Sequence, residues 1–262
     1  MERIISNTAL ITGASSGIGS EFARYHAKQG GDLVIVARRT ELLNALKAEL
    51  EATYGVNVTV FAMDVGTAKQ AQSLYKKVKD QGITIDILIN NAGFGGFGSF
   101  LERDLSKDQE MIDLNISALM TLSHLFGNDM KKRRGGKMLQ VSSTASFLPG
   151  PYQAVYYATK AFVTSFSQAI DQEMRKDGIT STALCPGLVN TEFVNKAELD
   201  GTDLAKQNKA SPASVAKCGY DAMMKGKLVA FNEARWSFTL NWLTPFMPRR
   251  SVLKMIEGLQ TK

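Results

Sequence analysis

Two side chains four residues apart carry the clearest chemical potential in this sequence. Tyr156 and Lys160 occur in Tyr156-Tyr157-Ala158-Thr159-Lys160. Residues at that spacing share one face of a helix, so a phenol and an ammonium can approach one site. A free tyrosine, with a pKa near 10, is a poor base at neutral pH. A cation roughly 4 Å away at an effective dielectric of about 20 is worth about 4 kcal/mol, enough to draw the phenol towards the range useful for general acid–base work. Tyr157 stands three residues from the same lysine and competes for the role. The segment Gln140-Val141-Ser142-Ser143 precedes this pair and offers hydroxyls.

A second constellation lies near the start. The apolar run Ala9-Leu10-Ile11 enters Thr12-Gly13-Ala14-Ser15-Ser16-Gly17-Ile18-Gly19, and a helical pattern follows through Phe22, Ala23 and Tyr25. A strand–glycine–helix turn brings backbone N–H groups close to a phosphate, and the positive end of the helix dipole favours the anion. The spacing is G-x-x-x-G-x-G, not the common G-x-G-x-x-G. The next strand-like run ends in Arg38-Arg39, where an NAD-binding fold carries an acidic residue for the ribose. Arginines there pair with phosphate, which points to NADP(H).

Other chemistries find less support. The two cysteines, Cys185 and Cys218, make neither a disulfide framework nor a metal cluster. His26 and His124 fall inside helical patterns, as packed or surface residues do, and no metal site is expected. Net charge is +6, from 31 basic and 25 acidic residues. The densest basic run, Lys131 to Lys137, belongs at the end of a helix, with Gly135-Gly136 as its stop. It has no interleaved aromatics, so nucleic acid is not an expected partner. No apolar run is long enough to cross a bilayer, and residues 1–7 lack the apolar core of a signal peptide, so the expected location is the cytoplasm.

The elements that must position these residues alternate along the chain. Strand-like runs fall at Thr8–Thr12, Leu33–Ala37, Val56–Ala62, Ile85–Asn90, Lys137–Ser142, Thr180–Cys185 and Leu228–Phe231. Several are apolar at consecutive positions, as strands covered on both faces are. Helical patterns occupy 17–30, 40–53, 67–81, 107–133, 153–177 and 212–225. The alternation predicts an α/β fold: a Rossmann-type, doubly wound, mostly parallel seven-stranded sheet with helices on both faces. No linker divides residues 1–262, so one domain is expected. It carries a polar, mobile excursion near 188–211 and an aromatic-rich C-terminal extension over 234–262.

Taken in order, Thr12-Gly13-x-x-x-Gly17-x-Gly19, Asn90-Asn91-Ala92-Gly93, Asn115, Ser143, Tyr156-x-x-x-Lys160 and Pro186-Gly187-x-x-x-Thr191 resemble the short-chain dehydrogenase/reductase family, in its compact single-domain branch. The resemblance runs to about residue 230. It implies hydride transfer between a nicotinamide and a carbonyl or alcohol carbon. It also resolves the tyrosines: Ser143 precedes Tyr156 by the family's interval, which leaves Tyr157 to packing. Tyr156 is then the acid–base group and Ser143 a hydrogen-bond donor to the reacting oxygen. Lys160 lowers the tyrosine pKa and holds the nicotinamide ribose, and Asn115 holds a water linking Lys160 to solvent. The cofactor groove implied is Gly13, Ser15, Ser16, Gly17, Ile18 and Gly19, then Arg38 and Arg39, then Asp64 and Val65 near the adenine. Asn90, Asn91, Ala92 and Gly93 follow, with Pro186, Gly187, Val189 and Thr191 about the nicotinamide.

The family likeness also implies a homodimer or homotetramer, with the helices near 107–133 and 153–177 as interface candidates. Phe94, Phe97, Phe100 and Phe147-Leu148 suggest a hydrophobic ketone or aldehyde as substrate. The C-terminal extension is expected to cap the substrate site or contact a second subunit, ahead of resting on a membrane surface as a scaffold would. A non-catalytic NADP(H)-binding sensor is the competing reading; it predicts a damaged catalytic set, whereas Asn115, Ser143, Tyr156 and Lys160 are all present. A sugar epimerase of related fold would carry a different glycine spacing.

Overall fold

A computed structural model describes residues 7–261. The stretch read for a signal peptide lies outside them, apart from Asn7. Seven strands form one sheet in the order β3-β2-β1-β4-β5-β6-β7. They are β1 (Thr8–Thr12), β2 (Asp32–Ala37), β3 (Val58–Ala62), β4 (Ile87–Asn90), β5 (Gly136–Val141), β6 (Ile179–Leu184) and β7 (Val229–Ala230). Every neighbouring pair is parallel. The consecutive apolar residues divide by parity. Ala9, Ile11, Leu33, Ile35, Ile87 and Ile89 join one core, while Leu10, Val34, Val36 and Leu88 join the other. This is the period of two that a sheet imposes when helices cover both faces.

The first core is closed by α1 (Gly17–Lys28), α2 (Thr40–Tyr54) and α8 (Pro212–Met224), through residues such as Phe22, Leu43, Leu50 and Tyr220. The second is closed by α3 (Ala68–Asp80) and α5 (Leu119–Arg133), through Leu74, Leu122 and Phe126, with Ile170 and Met174 of α6 (Ala154–Met174) packed against it. The chain moves one way through β1, β2 and β3, then returns to place β4 beside β1. At such a reversal the strand C-termini open a crevice suited to a ligand.

The long helix expected over 107–133 is interrupted. α4 (Leu105–Ile112) gives way to a π-helical turn, Asp113–Ala118, before α5 begins. Asn115 sits in that turn, and its bonds to Phe94 and Thr159 supply a reason for the widened register. The stop of α5 also differs. Arg134, not a glycine, takes the left-handed position with φ 56°. The basic run beside it is exposed but makes contacts within the chain: Lys131 pairs with Asp177, and Arg133 donates to the Ile85 carbonyl at 2.6 Å.

Two segments leave the sheet. Residues 188–211 hold the short helix α7 (Phe193–Lys196) and a parallel bridge from Val189 to Ala210. Val194, Ala197 and Leu199 give this expected polar excursion a small core of its own. The C-terminal segment forms α9 (Ala234–Phe238), a π-helical turn (Thr239–Leu243), a 3-10 turn (Thr244–Phe246) and α10 (Arg249–Gln260). Val252 and Ile256 of α10 pack with Met111, Ala145, Tyr156 and Tyr157. Among the described residues, no helix is long and apolar enough to cross a membrane.

Candidate active site

At the reversal between β1 and β4 lies a cavity of 1810 Å³ that runs from the glycine turn to α10. Gly13 takes φ 68°, in the left-handed region that side-chain-bearing residues avoid. A Cβ at Gly19 would stand 2.2 Å from the Gly13 carbonyl oxygen, so the turn closes only on hydrogen. Asn91 fastens this turn from β4, donating through Nδ2 to the Thr12 and Gly13 carbonyls at 2.9 and 3.3 Å. The main-chain N–H groups of Asn91 and Ala92 donate to Thr12 Oγ1 in return.

The N-terminus of α1 has no side-chain cap and no acidic residue in its first turn. Thr67, Asp104 and Ser211 each cap the helix they precede, whereas α2, α6, α9 and α10 share with α1 the lack of a side-chain cap. Gly13, Ser15, Ser16, Gly17 and Ile18 line the cavity. Uncapped N–H groups at the positive end of a helix, facing a cavity, are what an anionic phosphate requires. The residues fit a dinucleotide.

The paired arginines are not equivalent. Arg39 lies along the glycine turn, donating to Ser15 Oγ at 3.2 Å and Ser16 Oγ at 2.5 Å. Its remaining nitrogen reaches both carboxylate oxygens of Glu192 at 3.1 Å, across from the 188–211 segment. Lys196 and Arg39 together hold the Glu192 carboxyl near 2, far below the usual carboxylate range. Arg38 is exposed, lines the same cavity and forms no ion pair among the described residues. Asp64 accepts from the Gly66 N–H, and Val65 is buried beside it on the cavity wall.

Deeper in, Ser143, Tyr156, Lys160 and Asn115 converge. Ser143 caps the 3-10 turn Thr144–Phe147, its Oγ accepting from the Ala145 N–H at 3.1 Å, which leaves the hydroxyl proton free to donate. Ser142 is spent elsewhere, donating to the Lys160 carbonyl at 2.9 Å and fixing α6 to the end of β5. Asn115 is buried, with its amide nitrogen on the Phe94 carbonyl and Thr159 Oγ1 and its oxygen on the Phe94 N–H. A Cβ at Gly93 would come within 2.9 Å of Asn115 Oδ1 and 3.5 Å of Lys160 Nζ, so the loop after β4 lies directly against both.

The electrostatics invert the sequence expectation for Tyr156. Lys160 Nζ donates to the Val141 carbonyl at 2.9 Å and sits 5.8 Å from the Tyr156 ring centre. Burial, not attraction to the lysine, governs both groups. Burial pushes the Tyr156 phenol well above its usual value, against an opposing hydrogen bond from Ser143. It lowers the Lys160 ammonium to about 8. Tyr157 also rises, to about 12, but its hydroxyl accepts from Gln260 Nε2 of α10 at 3.1 Å. The tyrosines therefore differ in surroundings: the Tyr157 hydroxyl is held by Gln260 of the C-terminal helix, whereas Tyr156 packs its ring against Phe193.

The family model described as short chain dehydrogenase matches residues 7–201. The chain belongs to the short-chain dehydrogenase/reductase family. It is 32% identical over 242 residues to a very-long-chain 3-oxoacyl-CoA reductase of Laccaria bicolor, an alignment spanning 91% of this chain and 68% of that protein. It is 33% identical over 226 residues to mouse 17-beta-hydroxysteroid dehydrogenase type 3, across 83% of this chain and 73% of that one. A short-chain dehydrogenase from Sphingobium yanoikuyae, solved with NADPH, superposes with TM-score 0.81 at 30% identity, covering 88% and 91% of the two chains. The L-sorbose reductase of Gluconobacter frateurii, solved with NADPH and L-sorbose, gives TM-score 0.76 at 29% identity, over 88% and 96%. The chain is accordingly an oxidoreductase of the hydride-transferring kind that uses a nicotinamide cofactor.

Within this short-chain dehydrogenase/reductase, two residues expected in the cofactor groove, Gly19 and Asn90, do not line the cavity; Gly19 is packed inside the turn against the Gly13 carbonyl and Asn91. Asn90 is buried between β4, β5 and α5, bonding to Gln140 Oε1 and Ser123 Oγ, because its side chain takes the opposite face of the strand from that of Asn91. Pro186, Gly187, Val189 and Thr191 do line the cavity, with Thr191 Cγ2 against Gly17. Three residues of the site carried no motif signal. Phe193 packs its ring 5.4 Å from that of Tyr156, Glu192 holds Arg39, and Trp236 places beside Gly187 a buried indole N–H with no partner among the described residues. The aromatic density of 234–247 was the only hint of Trp236.

Proposed function

We propose that this chain reduces the carbonyl group of hydrophobic ketones or aldehydes, or oxidises the corresponding alcohols, with NADP(H). The observation that carries the reading is that Ser143, Tyr156 and the buried Lys160 line one cavity together with the start of α1. NADP(H), when bound, supplies or takes up the hydride; the chain manages the proton.

In the reductive direction Ser143 donates its hydroxyl proton to the substrate oxygen and orients it, as an oxyanion-hole donor does. Tyr156 then protonates that oxygen. Its raised pKa keeps the phenol fully protonated at neutral pH, so this chain holds a general acid ready rather than a phenolate base. Lys160 keeps its positive charge below a pKa of about 8, where it balances the phenolate left by proton transfer; with NADP(H) bound it would also hold the nicotinamide ribose. Asn115 positions the loop at Gly93 and Phe94. Both amide N–H bonds are taken, so only its oxygen retains an accepting position for a relay water.

Arg38, free at the cavity rim, is the reader of the adenosine 2′-phosphate, and Arg39 braces the turn beside it. The NADPH of two solved relatives supports this choice. The substrate end is walled by Phe94, Leu148, Phe193, Leu240, Met247 and Ile256, which favours an apolar chain over a polyol. The 3-oxoacyl-CoA reductase among the relatives supports the same lean. Fluorescence titration with NADPH and with NADH tests the cofactor assignment. Tenfold or greater preference for NADPH, about 1.4 kcal/mol, is expected. Equal or tighter binding of NADH would refute it.

A further inference from the structure

The segment from Ala234 to Phe246 has two apolar faces. Trp236, Leu240, Leu243 and Met247 recur at intervals of four, three and four residues and line the cavity. Phe238, Trp242 and Phe246 recur every four residues and face outward, 67%, 69% and 82% exposed. Three large aromatics left this open on consecutive turns are unusual for a surface that meets only water.

Charge says what the outer face meets. Residues 234–262 contain five basic residues and a single acidic one, Glu257. Arg235 is paired with Glu233 at 2.7 Å. Arg249, Arg250 and Lys254 are exposed and, among the described residues, form no ion pair. Two copies meeting face to face through this patch would set arginines against arginines, which disfavours a symmetric dimer here. An anionic bilayer suits both features, since tryptophan and phenylalanine settle at the headgroup level and free cations meet lipid phosphates.

We propose that this segment docks the protein on the surface of an anionic membrane, with Phe238, Trp242 and Phe246 entering the interface and Arg249, Arg250 and Lys254 contacting headgroups. Its inner face then leads a bilayer-dissolved carbonyl substrate into the cavity, a consequence that rests on the functional reading above. Docking itself does not need turnover.

The test is co-sedimentation of the full chain with phosphatidylcholine vesicles, with and without phosphatidylserine. The protein is expected to pellet with the anionic vesicles alone and to be released at about 1 M salt, where the screening length falls to about 3 Å. Arg249→Gln with Arg250→Gln should weaken partitioning roughly thirtyfold, from about 1 kcal/mol per basic residue. Trp242→Ser with Phe246→Ser should abolish it. Both double variants should keep the wild-type circular dichroism spectrum and NADPH affinity, and either one alone suffices if the other misfolds. Wild-type protein that stays in solution with anionic vesicles overturns the proposal, as does pelleting that neither pair weakens. Conversion of a dimer to a monomer by Trp242→Ser with Phe246→Ser, without vesicle binding, overturns it in favour of a second copy. An inactive protein that pellets with anionic vesicles upholds docking and refutes only the catalytic reading.

Discussion

Replacing Lys160 with methionine should make the protein more stable and inactive at once. Lys160 is almost wholly buried, and its ammonium pKa falls from 10.5 to about 8, chiefly through desolvation. At about 1.4 kcal/mol per pH unit, holding that charge at neutral pH costs the fold roughly 3 kcal/mol. The substitution also strands the Val141 carbonyl, now satisfied at 2.9 Å, at a cost of about 1 kcal/mol. The balance is a gain of about 2 kcal/mol at neutral pH, or roughly 4–8 °C in Tm for a chain of this size. The pH dependence gives a sharper signature. The unfolded chain keeps the Lys160 proton up to 10.5 and the folded chain releases it near 8. Between those values the unfolded state binds more protons, so wild-type stability climbs with pH. The variant's advantage is therefore full below pH 8 and gone above 10.5. Urea unfolding of both proteins across this range, with turnover measured in parallel, reads both effects. A variant that is less stable at neutral pH, with a difference that does not move with pH, would refute the reasoning.

Other outcomes follow from the same geometry. Arg38→Ala should weaken NADPH binding about tenfold or more and leave NADH unchanged, by loss of one charge-assisted phosphate contact; Arg39→Ala should weaken both, since Ser15 and Ser16 lose their brace. Tyr157→Phe should keep most activity and cost about 1 kcal/mol, because the hydroxyl it removes serves Gln260; a melting curve and a turnover assay check this. His26 is buried against Tyr220 and the Asp32 carbonyl, with its pKa lowered from 6.5 to about 4 by burial. The unfolded state therefore binds the extra proton between those values, and about 3 kcal/mol of stability, present above pH 6.5, should be lost as pH falls through 4. Urea midpoints that stay level across that window would contradict the assignment.

The sheet was legible because its signal is local. Runs such as Leu33-Val34-Ile35-Val36 must be buried on both faces, and glycines with Asn91 mark the one turn that packs against β4. Helix ends and the Asn115 turn were not, because the widened register answers to Phe94 and Thr159, partners 21 and 44 residues away. The same holds for Arg38 and Arg39. Their types were visible, but Glu192, 153 residues on, decides which one is free. The Tyr156 shift was misjudged in sign because spacing reports which charges are near and not how deeply the pair is buried.

Turnover of NADPH with a panel of alkyl ketones and 3-oxoacyl thioesters, comparing wild type with Tyr156→Phe, tests the central claim most directly. The structure predicts NADPH consumption by apolar carbonyls in the wild type and a loss of about a hundredfold or more in the variant, the size expected for removing a general acid. NADPH should bind the two proteins alike. A variant that keeps its rate, or a wild type that binds NADPH yet turns over polyols in preference to every apolar carbonyl, would contradict it.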